Sequence, residues 1–220
     1  MIRQYILYKI FSSKLSRVYI NYLFKKKYFY NYNVKIIYPI LIPRKHTEEL
    51  IHILTYITYN NNRVLDLCSG TNIIKMSLLL INKKYKITAL DYNHICVYTT
   101  TTHNTHHTNI ICNITYFLLN IKTYNIISSN PPYICFKNFF LNFSDCKKKK
   151  ALYAYLKGLY NFYLIINKSY DMLSKNGYII FEHSYNQSKT IRLILKITGF
   201  VNISTLKDMT GLTRLTYAEK

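Results

Sequence analysis

Four short apolar runs, RVLDL (63–67), YKITALD (85–91), NIICN (109–113) and YNIISSN (124–130), constrain the fold more than any other feature. Each reads as an unbroken strand rather than an alternating one. Segments of helical character separate the first three: a buried NIIKMSLLLI (72–81) and a weaker NHICVYTTTTHN (93–104). Strands that are apolar on both faces need cover on both faces, which implies a mostly parallel sheet between two layers of helices. The pattern continues with a helix from Leu159 to Leu173, a Lys-Asn-Gly turn and a strand YIIFEH (178–183). A helix from Gln187 to Thr198 and two closing strands near 200–206 and 212–218 complete it. The expected fold is a doubly wound α/β domain over residues 39–220, preceded by a short extension over 1–38.

That extension is basic, aromatic and free of acids, with weak helical patterning to Leu23, a lysine cluster at Lys25–Lys27 and a strand-like YFYNYNVKII. From Pro39 the text changes. In PRKHTEELIHILTYI, Thr47 and two acids occupy a first turn, and Leu50, Ile51, Leu54 and Ile57 follow at helical spacing, as at a helix start.

At 220 residues the chain is long enough to bury roughly 70–75% of its unfolded surface as one domain, without a staple. Its five cysteines, Cys68, Cys96, Cys112, Cys135 and Cys146, are scattered with no C-x-x-C pair, so disulfide and zinc frameworks are not indicated. Reduced thiols point to the cytoplasm. The seven histidines show no ligand or triad spacing and read as surface or loop residues. No apolar run approaches the roughly 18 residues of a membrane span. The net charge of +21 invites a nucleic-acid reading, yet most of the 30 basic residues are Lys, and Lys, Asn, Ile and Tyr dominate throughout, as translation of an A/T-rich genome produces. Against that drift the nine acids stand out, since Asp66, Asp91 and Glu182 each end an apolar run, Glu48 and Glu49 open a helix, and Asp208 lies in a late turn.

Doubly wound sheets bind ligands beyond the carboxyl ends of their strands. After the first strand stands LDLCSGTN (65–72), where Gly70 permits a tight turn and the next helix offers free amides; a plain strand-to-helix turn explains this loop about as well. Asp91 follows 21 positions after Gly70, close to the interval at which an acid reaches both hydroxyls of an adenine-bearing ribose; a helix N-cap is the other reading. After the fourth strand, Asn130-Pro131-Pro132-Tyr133 ends the run with two residues that have no N–H to give and that force extended backbone before them. The Asn130 side-chain oxygen and the Pro131 carbonyl, both acceptors, suit the two hydrogens of an NH₂ group, and Tyr133 supplies a flat wall. A proline-rich turn is the bland alternative.

Together these residues resemble the HemK/PrmC-type methyltransferases, S-adenosylmethionine-dependent enzymes that methylate the side-chain amide of a glutamine in peptide chain release factors. LIPRKHTEELI, ALYAYLKGLYNFYLII, MLSKNGYIIFEHSYNQ and KDMTGLTRLTYA extend the likeness in order from Ile40 to Ala218. The family has glycines where this chain has Cys68 and Asn72, an acid where it has Asn113, an Asp where it has Lys157, and a Glu near Lys147. Its helical N-terminal domain is here reduced to fewer than 40 residues. The resemblance implies that Cys68, Ser69, Gly70, Thr71, Asn72, Asp91, Asn113, Ile114 and Asn130 contact S-adenosylmethionine. It implies also that Asn130, Pro131, Pro132 and Tyr133 hold the substrate amide for in-line displacement at the sulfonium methyl, with no general base. The implied partner is a release factor, met by a monomer without a membrane role.

Three rivals remain at this stage. A nucleic-acid amine methyltransferase would use the same clamp and the CKKKKAL cluster (146–152), but there is no added target-recognition domain. A glutamine methyltransferase of a ribosomal protein has a close pattern. A non-catalytic binding module would explain the lost loop glycines but not the intact clamp.

Overall fold

The computed structural model describes residues 21–22, 24–37, 40–58, 62–93, 108–111, 123–132 and 158–220. Its elements are the strands β1 (Lys26–Phe29) and β2 (Tyr32–Lys35), helix α1 (His46–Ile57), β3 (Arg63–Leu67), α2 (Ile73–Ile81), β4 (Lys86–Asp91) and β5 (Thr108–Ile111). After these come β6 (Tyr124–Ser129), α3 (Tyr160–Met172), β7 (Leu173–Glu182), α4 (Ser188–Thr198), β8 (Val201–Lys207) and β9 (Thr213–Glu219).

Seven strands form one sheet in the order β5-β4-β3-β6-β7-β9-β8, in which β5 to β7 are parallel and β9 runs antiparallel to both β7 and β8. The expected doubly wound architecture is present, with the reversal of strand order at the centre, between β3 and β6. The apolar runs divide between the two faces, as the two-residue strand period requires. Val64, Ile87, Ile126 and Ile180 pack under α1 and α2 with Leu50, Ile51, Leu54, Ile74 and Leu78. On the opposite face Leu65, Leu67, Ile127, Ile179 and Phe181 pack against Phe162, Ile165 and Ile166 of α3 and Ile191 and Leu195 of α4. Leu50, Ile51 and Leu54 are fully buried, each stabilising the fold by about 1.5–3 kcal/mol.

Two segments differ from their sequence reading. The strand-like run at 28–37 is split: β1 and β2 form a hairpin in register Phe29↔Tyr32, turned by Tyr30 (φ 43) and Asn31 (φ 65). Two successive left-handed residues make the tight turn that matches strand twist, and Tyr-Asn lacks the glycine that usually announces it. Phe29, Val34 and Ile36 bury themselves in the α1/α2 core. The Lys-Asn-Gly segment is no free turn either, because β7 runs through it with Asn176 at φ 61 and a register shift opposite Tyr124 and Ile126. A Cβ on Gly177 would stand 2.9 Å from the carbonyls of Asn125 and Ser174, so glycine alone fits that bulge.

Candidate active site

The loop between β3 and α2 takes left-handed backbone at three places, Cys68 (φ 60), Gly70 (φ 51) and Asn72 (φ 56). This is the conformation that favours glycine, so Cys68 and Asn72, where the resemblance implies glycines, still hold a glycine-like path. Asn tolerates it; a cysteine there costs of order 1–2 kcal/mol. The Ser69 N–H donates to the Leu90 carbonyl at 3.1 Å, the Asn72 N–H to the Ser69 carbonyl at 2.8 Å, and the Met76 N–H to the Asn72 carbonyl at 2.9 Å, which starts α2. Ser69, Thr71 and Asn72 are buried.

Asp91, at the end of β4, faces this loop. Its Oδ2 accepts the Gly70 N–H at 2.9 Å and its Oδ1 accepts the Asn93 N–H at 2.9 Å. Each carboxylate oxygen has two acceptor positions and takes one bond among the described residues, which leaves one for a diol. Ser69, Asn72, Asp91, Asn93, Asn109 and Ile110 line a small recess between the carboxyl ends of β3, β4 and β5. On the far side of the loop, Ile40 lies over Gly70, its Cγ2 being 3.7 Å from where a Cβ would stand.

Behind the recess lie two buried titratable groups, Lys75 and Asp66, of which sequence reading singled out only the acid. Lys75, 1% exposed in the first turn of α2, donates from Nζ to Asn109 Oδ1 at 2.7 Å. Asp66, fully buried on β3, accepts from Ser128 Oγ at 3.3 Å through Oδ1, while its Oδ2 has no hydrogen-bond partner among the described residues. Burial pushes the Asp66 carboxyl up to about 8, with Asp91 adding repulsion and Ser128 and Lys75 opposing; burial likewise brings Lys75 down to about 8 against the pull of Asp66. One lysine inside an apolar helix reads as a side chain reaching solvent, and nothing in the sequence marks its partner. The Cys68 thiol is pushed up to about 12 by burial and by Asp91, against a hydrogen bond from Ser129, and is no thiolate nucleophile near neutral pH.

Asn130, Pro131 and Pro132 leave the end of β6. Asn130 is half-buried, Pro131 buried and Pro132 exposed. No hydrogen bond engages the Asn130 amide among the described residues, while Asn161 Nδ2 of α3 donates to the Pro132 carbonyl at 3.1 Å and fixes the bend. Tyr133, Asn113, Ile114, Lys147 and Lys157 lie outside the described residues.

Two sets of buried contacts at the end of β7 also escaped the sequence. Thr47, read above as a helix-start residue, makes no cap; its Oγ1 donates to Glu182 Oε2 at 2.8 Å, and both residues are 1% exposed. His183 corrects the surface reading of the histidines. It is fully buried, with Nδ1 facing the Ser184 carbonyl at 2.9 Å and Nε2 facing Thr216 Oγ1 at 2.7 Å. A carbonyl only accepts, so Nδ1 carries the proton and Nε2 accepts from Thr216. Burial lowers the imidazole's pKa, in keeping with a neutral ring.

No family model matches the chain. Among curated proteins it is similar to the release factor glutamine methyltransferase of Buchnera aphidicola from Acyrthosiphon pisum, 30% identical over 207 residues, covering 91% of this chain and 75% of that one. The protein of the same name from Mycoplasma mycoides is 33% identical over 188 residues, 79% of this chain and 66% of that one. Among solved structures, a methyltransferase from Pyrococcus furiosus aligns with a TM-score of 0.66 at 13% identity, over 94% of this chain and 96% of that one. The protein-(glutamine-N5) methyltransferase of Alicyclobacillus acidocaldarius aligns at 0.55 and 19% identity, over 81% of this chain and 94% of that one. At such identities the structural likenesses establish the fold.

Proposed function

Since the chain belongs to the release factor glutamine methyltransferase family, we propose that it transfers a methyl group from S-adenosylmethionine to the side-chain amide nitrogen of a glutamine in a peptide chain release factor. The observation that carries this is the meeting, at the switch point of one sheet, of a left-handed Cys68–Asn72 loop, the Asp91 carboxylate and the Asn130-Pro131-Pro132 bend.

The residues fit the cofactor. Among the described residues, Asp91 keeps an acceptor position on each oxygen for a ribose diol, and only Ile40 stands near the open face of Gly70. Cys68 to Asn72 would hold the amino-acid part, Asp91 the ribose, and Asn113 or Ile114 the adenine. Bound S-adenosylmethionine supplies an electrophilic sulfonium methyl. What the protein adds is placement. A carboxamide nitrogen is a weak nucleophile because its lone pair is delocalised into the carbonyl. The Asn130 oxygen and the Pro131 carbonyl would accept its two hydrogens, orient the lone pair, and favour the positive charge that develops on the nitrogen. Near-attack placement supplies of order 7–11 kcal/mol of a barrier of this kind. Tyr133 would flank the flat amide. No base is assigned, and the proton leaves to water after transfer.

No helix among the described residues is long and apolar enough to cross a membrane. A monomer acting in the cytoplasm is the form we propose. The test is incubation with labelled S-adenosylmethionine and, in parallel, a release factor, ribosomal proteins and RNA, followed by mapping of the methylated atom. Label on a release-factor glutamine amide supports the reading; label confined to RNA or to a ribosomal protein overturns the substrate assignment.

A further inference from the structure

The geometry points to a positioning role for Glu182: with Thr47 it forms a buried latch that holds the segment Ile40–Thr47 against the cofactor loop, beside the clamp at Asn130. The proposal rests on the methyltransferase reading above. It assigns a residue that neither touches the reacting atoms nor belongs to the loop or the clamp.

The placement follows from strand register. Leu67 pairs with Ser129, and Ser129 with Phe181, so Cys68, Asn130 and Glu182 are the next row, one residue beyond the last positions at which β3, β6 and β7 pair with one another. Two residues earlier the same row is Asp66, Ser128 and Ile180. Ile180 belongs to the α1/α2 core, so by the two-residue period Glu182 is on that side, where Thr47 meets it. The partners are 135 positions apart in sequence.

The segment that Thr47 ends is pinned elsewhere. The Tyr22 hydroxyl donates to the Ile40 carbonyl at 2.8 Å, and Lys27 Nζ donates to the Pro43 carbonyl. Ile40 lies on Gly70. These two bonds tie the segment to the N-terminal hairpin region, whereas the Thr47–Glu182 bond ties it to the strand end beside Asn130. Helix α1 needs no latch to fold, because Leu50, Ile51 and Leu54 already anchor it. A buried hydroxyl–carboxylate pair must overcome the desolvation of both groups, which an apolar pair of the same size avoids. What it adds is direction: one donor and one acceptor at one distance, which fixes the helix start relative to the clamp.

The experiment compares Thr47→Val, which keeps the shape but removes the donor, with Thr47→Ser, which keeps the donor, and adds Glu182→Gln and the double variant Thr47→Val/Glu182→Gln. S-adenosylhomocysteine affinity is measured by calorimetry, kcat and KM with a release factor, and Tm by thermal unfolding. Thr47→Val is expected to weaken S-adenosylhomocysteine about tenfold and to lower kcat by a similar factor, with KM for the release factor within twofold. Thr47→Ser should return both to within threefold. The double variant should be no worse than the poorer single one, because one shared bond is lost only once. A Thr47→Val protein with lowered Tm but unchanged affinity and kcat would make the pair merely structural and overturn the proposal. So would additive losses in the double variant, or failure of serine to rescue. If the unaltered protein binds S-adenosylhomocysteine but methylates no release factor, the substrate assignment fails while the latch is still judged on affinity; if it binds none, both readings fall.

Discussion

The backbone N–H of Gly70 donates to Asp91 Oδ2 at 2.9 Å, joining the loop after β3 to the end of β4, 21 positions on. The acid that would receive the ribose therefore also holds the loop that would receive the amino-acid part. Removing the carboxylate should do two things at once. Asp91→Ala is expected to weaken S-adenosylhomocysteine by about 10- to 100-fold, since hydrogen bonds to a charged group are worth about 1.5–3 kcal/mol. Asp91→Asn keeps one acceptor and should fall between. Calorimetry decides; equal affinity in all three proteins would mean that the recess beside Asp91 is not the nucleoside site.

Asn130 carries the second prediction. Its amide is uncommitted among the described residues while Asn161 fixes the bend from the Pro132 carbonyl, so truncation should leave the backbone path in place. Asn130→Ala is expected to lower kcat at least about 100-fold, the scale found when one preorganised dipole is removed from a reacting centre. S-adenosylhomocysteine affinity should change by less than threefold. An Asn130→Ala enzyme with normal turnover would show that the clamp is misassigned.

The parts of this site legible in the sequence are those whose chemistry depends on local order. Two adjacent prolines stop a strand wherever they occur, and the interval from Gly70 to Asp91 is set by one helix and one strand, so both could be read directly. Strands β3, β4 and β6 were legible because burial on both faces leaves a nearly unbroken apolar run, while β5 lies at the sheet edge and is not buried. The Thr47–Glu182 and Lys75–Asn109 contacts were not, since each joins distant segments whose approach is decided by sheet order. His183 was misread for a related reason: its cover comes from β9, which pairs with β7 only after the chain has passed through α4 and β8. The hairpin at Tyr30–Asn31 lacked its usual glycine and so passed for a continuous strand.

Cys68 occupies a left-handed position with a thiol that stays protonated near neutral pH. Cys68→Gly should therefore relieve strain without removing a reacting group. The relief of about 1–2 kcal/mol is offset by about 0.5–1 kcal/mol of added unfolded-state entropy. The net gain of up to about 1.5 kcal/mol raises Tm by up to about 6 °C in a chain of this length. Asn72→Gly should gain less, because asparagine adopts this conformation more readily. Thermal unfolding checks the stability and methyl transfer the activity; a Cys68→Gly protein that is both less stable and inactive would show that the thiol does more than fill space.

The final prediction concerns Asp66, whose carboxyl is pushed up to about 8, chiefly by burial. An unfolded aspartate titrates near 3.9. Between about pH 4 and 8 the folded protein therefore keeps a proton at this site that the unfolded chain has released. Stability must then fall as pH rises through that window, by up to about 1.4 kcal/mol per pH unit where the difference is a whole proton. Asp66→Asn cannot titrate and lacks this fall. The Tm of Asp66→Asn minus that of the unaltered protein should thus increase steadily from pH 4 to pH 7, below the range in which Lys75, brought down to about 8, gives up its own proton. Calorimetric scans at half-unit intervals measure the difference, and a flat or decreasing curve would mean that Asp66 is charged throughout and paired with Lys75 as an ion pair.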